Sequence, residues 1–381
     1  MSAEIYADVY SFLKLHTTPL ELVDPEGGGR VLLAPELAAR VMTSTAGGMR
    51  GKSYGWVNRR AFVGGRDPKF TNFGGEERLW LGPEGGQFSL YFPPNAPFTL
   101  EHWFVPKAFN DEPYAVVESG ETEAAMVKSM ALRNYSGTEF ELLVERRFRI
   151  IPRTEAVSLL DVPLPSEVKL VAYETENTLI NRGSEKLRKE KGLVSIWLLS
   201  MLNPSGRTAV LIPYRGDSEG GSGSVVNDTY FGPVPPGRLA VTDSVIVFKA
   251  DGKHRCKIGV GPGRCRDRLG SLDLENGLLT VVLFSFSGES DYVNSLWEIH
   301  EDPYSGDVIN SYNDGPPPGA EEGLGGFYEL ESSSPARELE VGEKLVHTQK
   351  IFHMEGPLED LDTLSKRILS AGAAEARRVL S

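Results

Sequence analysis

Runs of β-forming residues, each closed by a turn signal, follow one another from about residue 115 to residue 300. Many of the runs place apolar side chains on alternate positions, which is typical of half-buried strands. Stretches rich in glycine, asparagine, serine and proline, such as 134–137 and 203–206, separate the runs and favour turns. Strands at such short intervals predict an all-β fold, a large antiparallel β-sandwich, rather than alternating βαβ units.

Composition limits the classes of partner. The chain has 381 residues, 40% of them hydrophobic and 24% charged, with a net charge of −13. An acidic surface disfavours nucleic acid and anionic membranes, because phosphate binding needs concentrated Lys and Arg. A neutral or cationic small molecule suits this charge better.

The start of the chain lacks the basic residues and apolar run of a signal peptide. No stretch approaches the roughly 18 apolar residues of a membrane span. Cys256 and Cys265 are nine residues apart and do not form a disulfide framework. We therefore expect a soluble, cytoplasmic protein.

Both ends of the chain carry helical patterns. Apolar residues recur at helical spacing over about 3–15 and again over about 358–380. We expect short helices that flank a single domain spanning residues 1–381.

The stretch Phe327–His353 contains two alternating runs, separated by a Ser-Ser-Ser-Pro breaker and a Val-Gly-Glu turn. Glu331 ends the first run, in a Leu-Glu pair. On periodicity alone it is either a solvent-facing residue of an alternating strand or a residue with a chemical role.

This stretch resembles the C-terminal end of the galactose mutarotase (aldose 1-epimerase) superfamily. The shared pattern is a Leu-Glu pair, a short polar run, Pro, and a Gly-Glu turn before a strand that carries His. The segments GGEERLW, NDTYFG, VFKADGKHRCKIG, NSYNDGP and FYELESSSPA are similar to an uncharacterised bacterial branch of it, over nearly the whole chain. The resemblance implies a galactose mutarotase-like supersandwich. It also implies that Glu331 is the catalytic base.

Residues 70–92 form a second informative stretch, with two double glycines around Glu76, Arg78 and Trp80. A carboxylate, a guanidinium and an aromatic plane can bind the hydroxyls and ring face of a sugar, which predicts substrate binding. The same residues also occur at ordinary turns between strands.

The third stretch, 291–316, reads as a strand followed by a polar loop. It supplies the further substrate-binding candidates Trp297, Asp307, Asn310, Asn313 and Asp314. The loop is a solvated connection, a set of hydroxyl-binding side chains next to Glu331, or a calcium site. Its spacing matches no EF-hand, and we assign no metal and no cofactor.

The sequence departs from the family pattern at the position of the catalytic acid. Family members carry a His on the strand after an Asn-x-Gly-type turn, where this chain has Ser195 or Trp197. A serine is a poor general acid near neutral pH. His300 is our first candidate for the acid, and a group polarised by Arg78 is the second.

The resemblance implies a carbohydrate-active protein that interconverts the anomers of a sugar or sugar derivative, as an aldose 1-epimerase does. The alternatives are a non-catalytic carbohydrate-binding protein and a polysaccharide lyase- or glycosidase-like enzyme on the same fold. The expected partner is a small carbohydrate, with no nucleic acid or membrane. The sequence carries no signal for oligomeric state.

Overall fold

A computed structural model describes residues 4–317 and 319–380. The described chain consists mainly of strands with a few short helices. The strands are β1 (Leu20–Val23), β2 (Arg30–Ala34), β3 (Arg40–Thr45), β4 (Arg78–Gly82), β5 (Ala115–Ser119), β6 (Glu123–Arg133), β7 (Glu139–Ile150), β8 (Lys169–Asn181), β9 (Ser195–Leu202), β10 (Thr208–Pro213), β11 (Leu239–Val241), β12 (Val245–Lys249), β13 (Cys256–Val260), β14 (Arg268–Asp273), β15 (Leu278–Phe284), β16 (Ile309–Asn313), β17 (Tyr328–Ser333) and β18 (Lys344–Glu355). The α-helices are α1 (Tyr6–Lys14), α2 (Arg59–Val63), α3 (Arg153–Leu160), α4 (Leu358–Leu369) and α5 (Ala373–Ala376), and single 3₁₀ turns occur at Gly48–Arg50, Lys107–Phe109, Lys189–Lys191 and Asp217–Glu219.

The strands form three sheets whose named strand pairs are all antiparallel. The ten-stranded sheet has the order β11-β12-β10-β14-β15-β18-β8-β7-β6-β5, and the five-stranded sheet has the order β13-β16-β17-β9-β4. A small sheet of β1, β2 and β3 lies beside them. Apolar side chains from the two large sheets share one core cluster, which confirms the predicted antiparallel sandwich.

The five-stranded sheet matters most for the site. Successive side chains of a strand point to opposite faces, so Leu330 of β17 lies in the core while Glu329 and Glu331 share the other face. Every residue of β9 is buried, which shows that this second face is covered as well. The interpretation of Glu331 as a solvent-facing residue is therefore wrong.

The predicted terminal helices are present, with differences in extent. Helix α1 buries Tyr6, Val9 and Leu13 at helical spacing, as expected, and residue 3 lies outside the described residues. The segment predicted as one helix over 358–380 is divided into α4 and α5. Ser370 has a left-handed backbone (φ 60°), which ends α4.

The strand predicted near the start of 291–316 is not a regular strand. Tyr292 makes one isolated bridge to Ser305, and the chain then follows a loop. Asn294 accepts a hydrogen bond from the Leu296 N–H (3.1 Å), a local contact that competes with sheet pairing.

Polar side chains are buried where β18 crosses the core. The ring of His347 contacts the hydroxyls of Ser285 (3.0 Å) and Ser332 (2.9 Å), and neither distance requires a charged imidazole. Burial lowers the pKa of His347 to about 3. The folded protein therefore holds this side chain neutral at physiological pH.

We expect acid to destabilise the protein through His347. The unfolded chain binds a proton at an ordinary pKa of about 6.5, while the folded chain does not until about pH 3, so stability falls as pH drops below 6.5. Wild type should lose about 2 kcal/mol more than His347→Gln between pH 7 and pH 5. Denaturant unfolding at both pH values measures this difference, and equal losses in the two proteins would contradict it.

Candidate active site

A cavity of about 460 Å³ opens over the second face of the five-stranded sheet. This is within the usual range of about 300–1,000 Å³ for small-molecule sites. Aromatic side chains form much of its wall, namely Phe70, Trp80, Trp103, Trp197, Tyr230, Phe231, Trp297, Tyr312 and Phe327. Its charged lining consists of Arg78, Glu84, Arg255, Lys257, Asp314, Glu322 and Glu329.

Strand register brings distant parts of the sequence together at the base of this cavity. Glu331 of β17 is opposite Leu199 of β9, which is opposite Arg78 of β4. One pair further along β17, Glu329 is opposite Tyr312, which is opposite Lys257 of β13. Residues on one row of one face are neighbours, so the sheet assembles two carboxylates and two cations.

Glu331 is fully buried beneath the cavity and does not itself line it. Its Oε2 accepts hydrogen bonds from the Trp197 indole N–H and from the Lys257 ammonium, both at 2.9 Å. Its Oε1 has no hydrogen-bond partner among the described residues. A buried carboxylate oxygen without a donor is an acceptor that a ligand hydroxyl can satisfy.

Glu329 is the carboxyl that borders the cavity next to Glu331. Its side chain is paired with the guanidinium of Arg78. Burial and the nearby Glu331 together raise the pKa of Glu329 to about 7, against the opposing effect of Arg78. A carboxyl that titrates near neutral pH is suited to giving or taking a proton.

Lys257 carries the positive charge nearest to Glu331. Burial lowers the pKa of Lys257, but the carboxylates of Glu331 and Glu84 oppose it, and the net result is a raised pKa. The ammonium also lies 4.8 Å from the centre of the Trp197 ring. Lys257 is therefore a fixed cation at the base of the cavity.

Trp197 is, with Ser195, one of the two residues at which the resemblance places the family's catalytic His. Its ring lines the cavity and meets Trp80 edge-on, with ring centres 5.6 Å apart. The side chain of Ser195, the other residue considered for that position, borders a small adjoining cavity. An indole N–H is not an acid near neutral pH, so no proton donor comes from this position.

Six predicted site residues line the cavity or its neighbour. Arg78, Trp80, Trp297 and Asp314 line the main cavity. Asp307 borders the small adjoining cavity, where it accepts hydrogen bonds from Tyr230 (2.6 Å) and Asn227 (3.1 Å).

Asn310 also borders the small cavity, and its amide donates to the Tyr230 hydroxyl (3.0 Å) and the Ile258 carbonyl (3.2 Å). Asn313 lies outside both cavities and donates to the His254 carbonyl at 2.7 Å. Asn313 therefore stabilises the turn at His254 and does not face either cavity.

The structure places Glu76 outside the cavity, between the sheets. Its Oε1 accepts from Ser44 (2.6 Å) and contacts the ring of His353 (3.0 Å). Gly74 and Gly75 precede it with φ of 80° and 125°, which turns the chain before β4 begins. Glu76 is therefore corrected from a substrate-binding candidate to a core residue.

His300 does not line the cavity either. Its Nε2 lies 3.1 Å from the Leu296 carbonyl, and its backbone N–H donates to Gln87. Burial lowers the pKa of His300. His300 is therefore corrected from the candidate acid to a residue outside the cavity.

Sequence reasoning missed Lys257, Glu329, Glu84, Trp103 and Tyr230. Glu329 had a usable signal, because it is two residues before Glu331 on an alternating strand and so shares its face. The other four come from segments brought in by long-range pairing and loops.

Residues 4–317 and 319–380 contain no group of three or more His, Cys, Asp or Glu side chains placed to hold a metal ion. None of their helices is long and apolar enough to cross a membrane.

A family model described as a family of unknown function (DUF6786) matches residues 4–380. The chain belongs to this family. No curated protein matches the chain by sequence.

Three solved structures have the same fold at low sequence identity. A candidate aldose 1-epimerase of Escherichia coli has a TM-score of 0.53 at 10% identity, covering 89% of this chain and 99% of its own. A Synechocystis protein has a TM-score of 0.51 at 12% identity, covering 90% and 96%. A galactose mutarotase-like protein of Lactobacillus casei has a TM-score of 0.51 at 11% identity, covering 88% and 100%. The fold is therefore galactose mutarotase-like, as the sequence predicts.

Proposed function

We propose that this protein binds a sugar or sugar derivative in the cavity over Glu331 and interconverts its anomers by acid/base ring opening. The observation that carries the proposal is the pair of carboxyls, Glu331 and Glu329, on one face of β17 beside two fixed cations. Same-face neighbours on a strand are about 7 Å apart, a separation on the scale of a sugar ring. The aromatic wall suits the apolar face of such a ring.

Each carboxyl has a distinct role in the proposed reaction. Glu331 takes the proton of the anomeric hydroxyl, and Glu329, in its protonated form, delivers a proton to the ring oxygen as the ring C–O bond breaks. Free rotation about the C1–C2 bond exposes the other carbonyl face, and reversal of the transfers closes the ring as the other anomer. Lys257 and Arg78 stabilise the negative charge that moves between the oxygens.

Proton transfer to Glu331 requires a rearrangement at the base of the cavity. Because Trp197 and Lys257 already donate to its Oε2, a sugar hydroxyl must reach the unpartnered Oε1 or replace one of these donors.

A second function is a non-catalytic carbohydrate-binding protein. The observation that favours it is Trp197, which donates to Glu331 and is, with Ser195, one of the two residues at which the resemblance places the family's acid. The same cavity would then bind the sugar without turnover.

The two functions are separated by following freshly dissolved pure anomers of neutral and amino sugars by NMR. The proposal predicts that equilibration is faster with protein than in buffer, in proportion to protein concentration. A protein that binds a sugar and leaves its equilibration rate unchanged would be the non-catalytic alternative.

Trp297→Ala should weaken sugar binding about tenfold, because removing one stacking indole costs roughly 1–2 kcal/mol. Its ring lines the cavity beside Trp103, with centres 6.3 Å apart. Calorimetric titration measures the loss. Tyr10→Ala, on helix α1 away from the cavity lining, is the matched control, and equal affinity in wild type and Trp297→Ala would contradict the stacking role.

A further inference from the structure

Glu84 is a carboxylate on the cavity wall that neither the resemblance nor the proposed reaction uses. Its Oε1 accepts a hydrogen bond from the Trp103 indole N–H at 2.9 Å. Part of its surface stays accessible, and the residue lines the cavity.

Close packing of two loops fixes this position. The Glu84 N–H donates to the Ser295 hydroxyl at 3.2 Å. A Cβ on the next residue, Gly85, would lie 2.1 Å from the Leu296 carbonyl oxygen, so only glycine permits this approach. The contact places Glu84 directly beside Trp297.

Glu84 forms no direct ion pair among the described residues. Within the described part of the chain, no Lys, Arg or His nitrogen forms an ion pair with it at 4.0 Å or less. Among the cavity cations, Arg78 is paired with Glu329, Lys257 is paired with Glu331, and Arg255 lies over the Phe231 ring. Burial raises the pKa of Glu84, and the charge of Lys257 and the hydrogen bond from Trp103 oppose this effect only in part.

The surroundings of Glu84 are aromatic. The rings of Trp103 and Trp297 lie nearly parallel, 25° apart in plane, and Phe70 meets Trp103 edge-on with ring centres 5.6 Å apart. Aromatic faces attract cations, most strongly the indole face. Glu84 lies at the indole N–H edge of Trp103, so a cation bound to this carboxylate is beside these rings. A carboxylate next to indole rings is the chemistry that recognises an ammonium group.

Other carboxylates of the lining are not equivalent. Asp314 is already satisfied by the Gly325 and Gly326 backbone N–H groups, both at 2.8 Å, and by Tyr312. Glu322 is at the exposed rim, 3.7 Å from Arg60. Among the described carboxylates of the lining, only Glu84 combines an aromatic setting with the absence of both an ion pair and backbone donors.

We propose that Glu84, Trp103 and Trp297 form a subsite for a cationic nitrogen, so that the ligand is a sugar derivative carrying a protonated amine. The identity of the sugar part rests on the proposed function, while the cation subsite stands on the geometry around Glu84. The overall negative charge of the protein also favours a cationic ligand.

The test compares matched ligands by calorimetric titration at a pH where the amine is protonated. The pairs are glucosamine with glucose and galactosamine with galactose, with N-acetylglucosamine as a neutral amide. Wild type should bind each amine about tenfold or more tightly than its hydroxyl counterpart. Glu84→Gln keeps an acceptor for the Trp103 N–H and should lose this preference, whereas the rim variant Glu322→Gln should keep it.

Tetramethylammonium, followed by ligand-observed NMR, separates this subsite from the sugar hypothesis. If no sugar binds but tetramethylammonium binds wild type and not Glu84→Gln, the subsite stands and the proposed function fails. Sugars that bind with no preference for the amine, or a preference that survives in Glu84→Gln, would overturn the subsite and leave the proposed function intact. Absence of both tetramethylammonium binding and amine preference would also overturn it.

Discussion

Glu331→Gln is expected to lower the rate of protein-catalysed anomer exchange by about 10²–10⁴-fold, the usual contribution of a positioned acid or base. The amide cannot accept the proton of the anomeric hydroxyl. Its oxygen can still accept the hydrogen bonds that Trp197 and Lys257 make to Oε2, each 2.9 Å in wild type. The substitution therefore removes the base while keeping the neighbouring side chains in place.

Three measurements make this result interpretable. Thermal unfolding shows that the variant is folded, calorimetry shows whether it still binds the sugar, and NMR gives the exchange rate. Unchanged binding with a lost rate is the signature of a residue that acts on the reaction. A variant that binds equally and exchanges as fast as wild type would remove Glu331 from the mechanism.

Glu329→Gln is a useful companion, because the pKa of about 7 at Glu329 in wild type predicts a pH dependence of the rate. The acid form of Glu329 decreases as pH rises through 7, so catalysis that uses it should decline above that pH. The variant should lose both rate and this pH dependence.

Arg146→Met is expected to destabilise the fold by about 3–5 kcal/mol, the cost of leaving a buried charge without its partner. Arg146 is fully buried and is paired with Glu77, while it also donates to Asn177 and to the Ala39 carbonyl, both at 2.8 Å. Without it, the Glu77 carboxylate keeps only the neutral donors Thr175 and Gln349.

The neighbouring residue provides the control. Arg147 is exposed and its ion pair with Glu118 is at the surface, so Arg147→Met should change the stability by about 0.5 kcal/mol or less. Adding Glu77→Gln to Arg146→Met should recover part of the loss, because no buried charge is then left unpaired. Denaturant unfolding measures all three. Equal stability of Arg146→Met and Arg147→Met would contradict the account.

The sequence was most informative about strand β17, where alternation within a single strand determines which face each side chain is on. Alternation over 327–331 predicts that Glu331 and Leu330 point to opposite faces, and the structure places Leu330 in the core. Periodicity could not tell which face is covered, because burial of Glu331 depends on Trp197 and Lys257 from other strands.

Glu76 and Glu84 show why the other parts of the site could not be predicted from the sequence. Glu76 and Arg78 have the parity of one strand face, but the left-handed glycines at 74 and 75 turn the chain, and Glu76 enters the core. Glu84 gains its aromatic surroundings only when the loop of Trp297 packs on Gly85. Such contacts join segments about 200 residues apart, and local patterns carry no information about them.

Selective-inversion NMR on an equilibrated mixture of anomers, with wild type and Glu331→Gln in matched samples, measures whether Glu331 catalyses anomer exchange. The sugar should be one that calorimetry shows to bind. We expect magnetisation transfer between the two anomeric protons that increases with wild-type concentration and returns to the buffer rate with Glu331→Gln. Transfer at the buffer rate in both samples, with the sugar bound, would contradict catalysis and leave a binding protein.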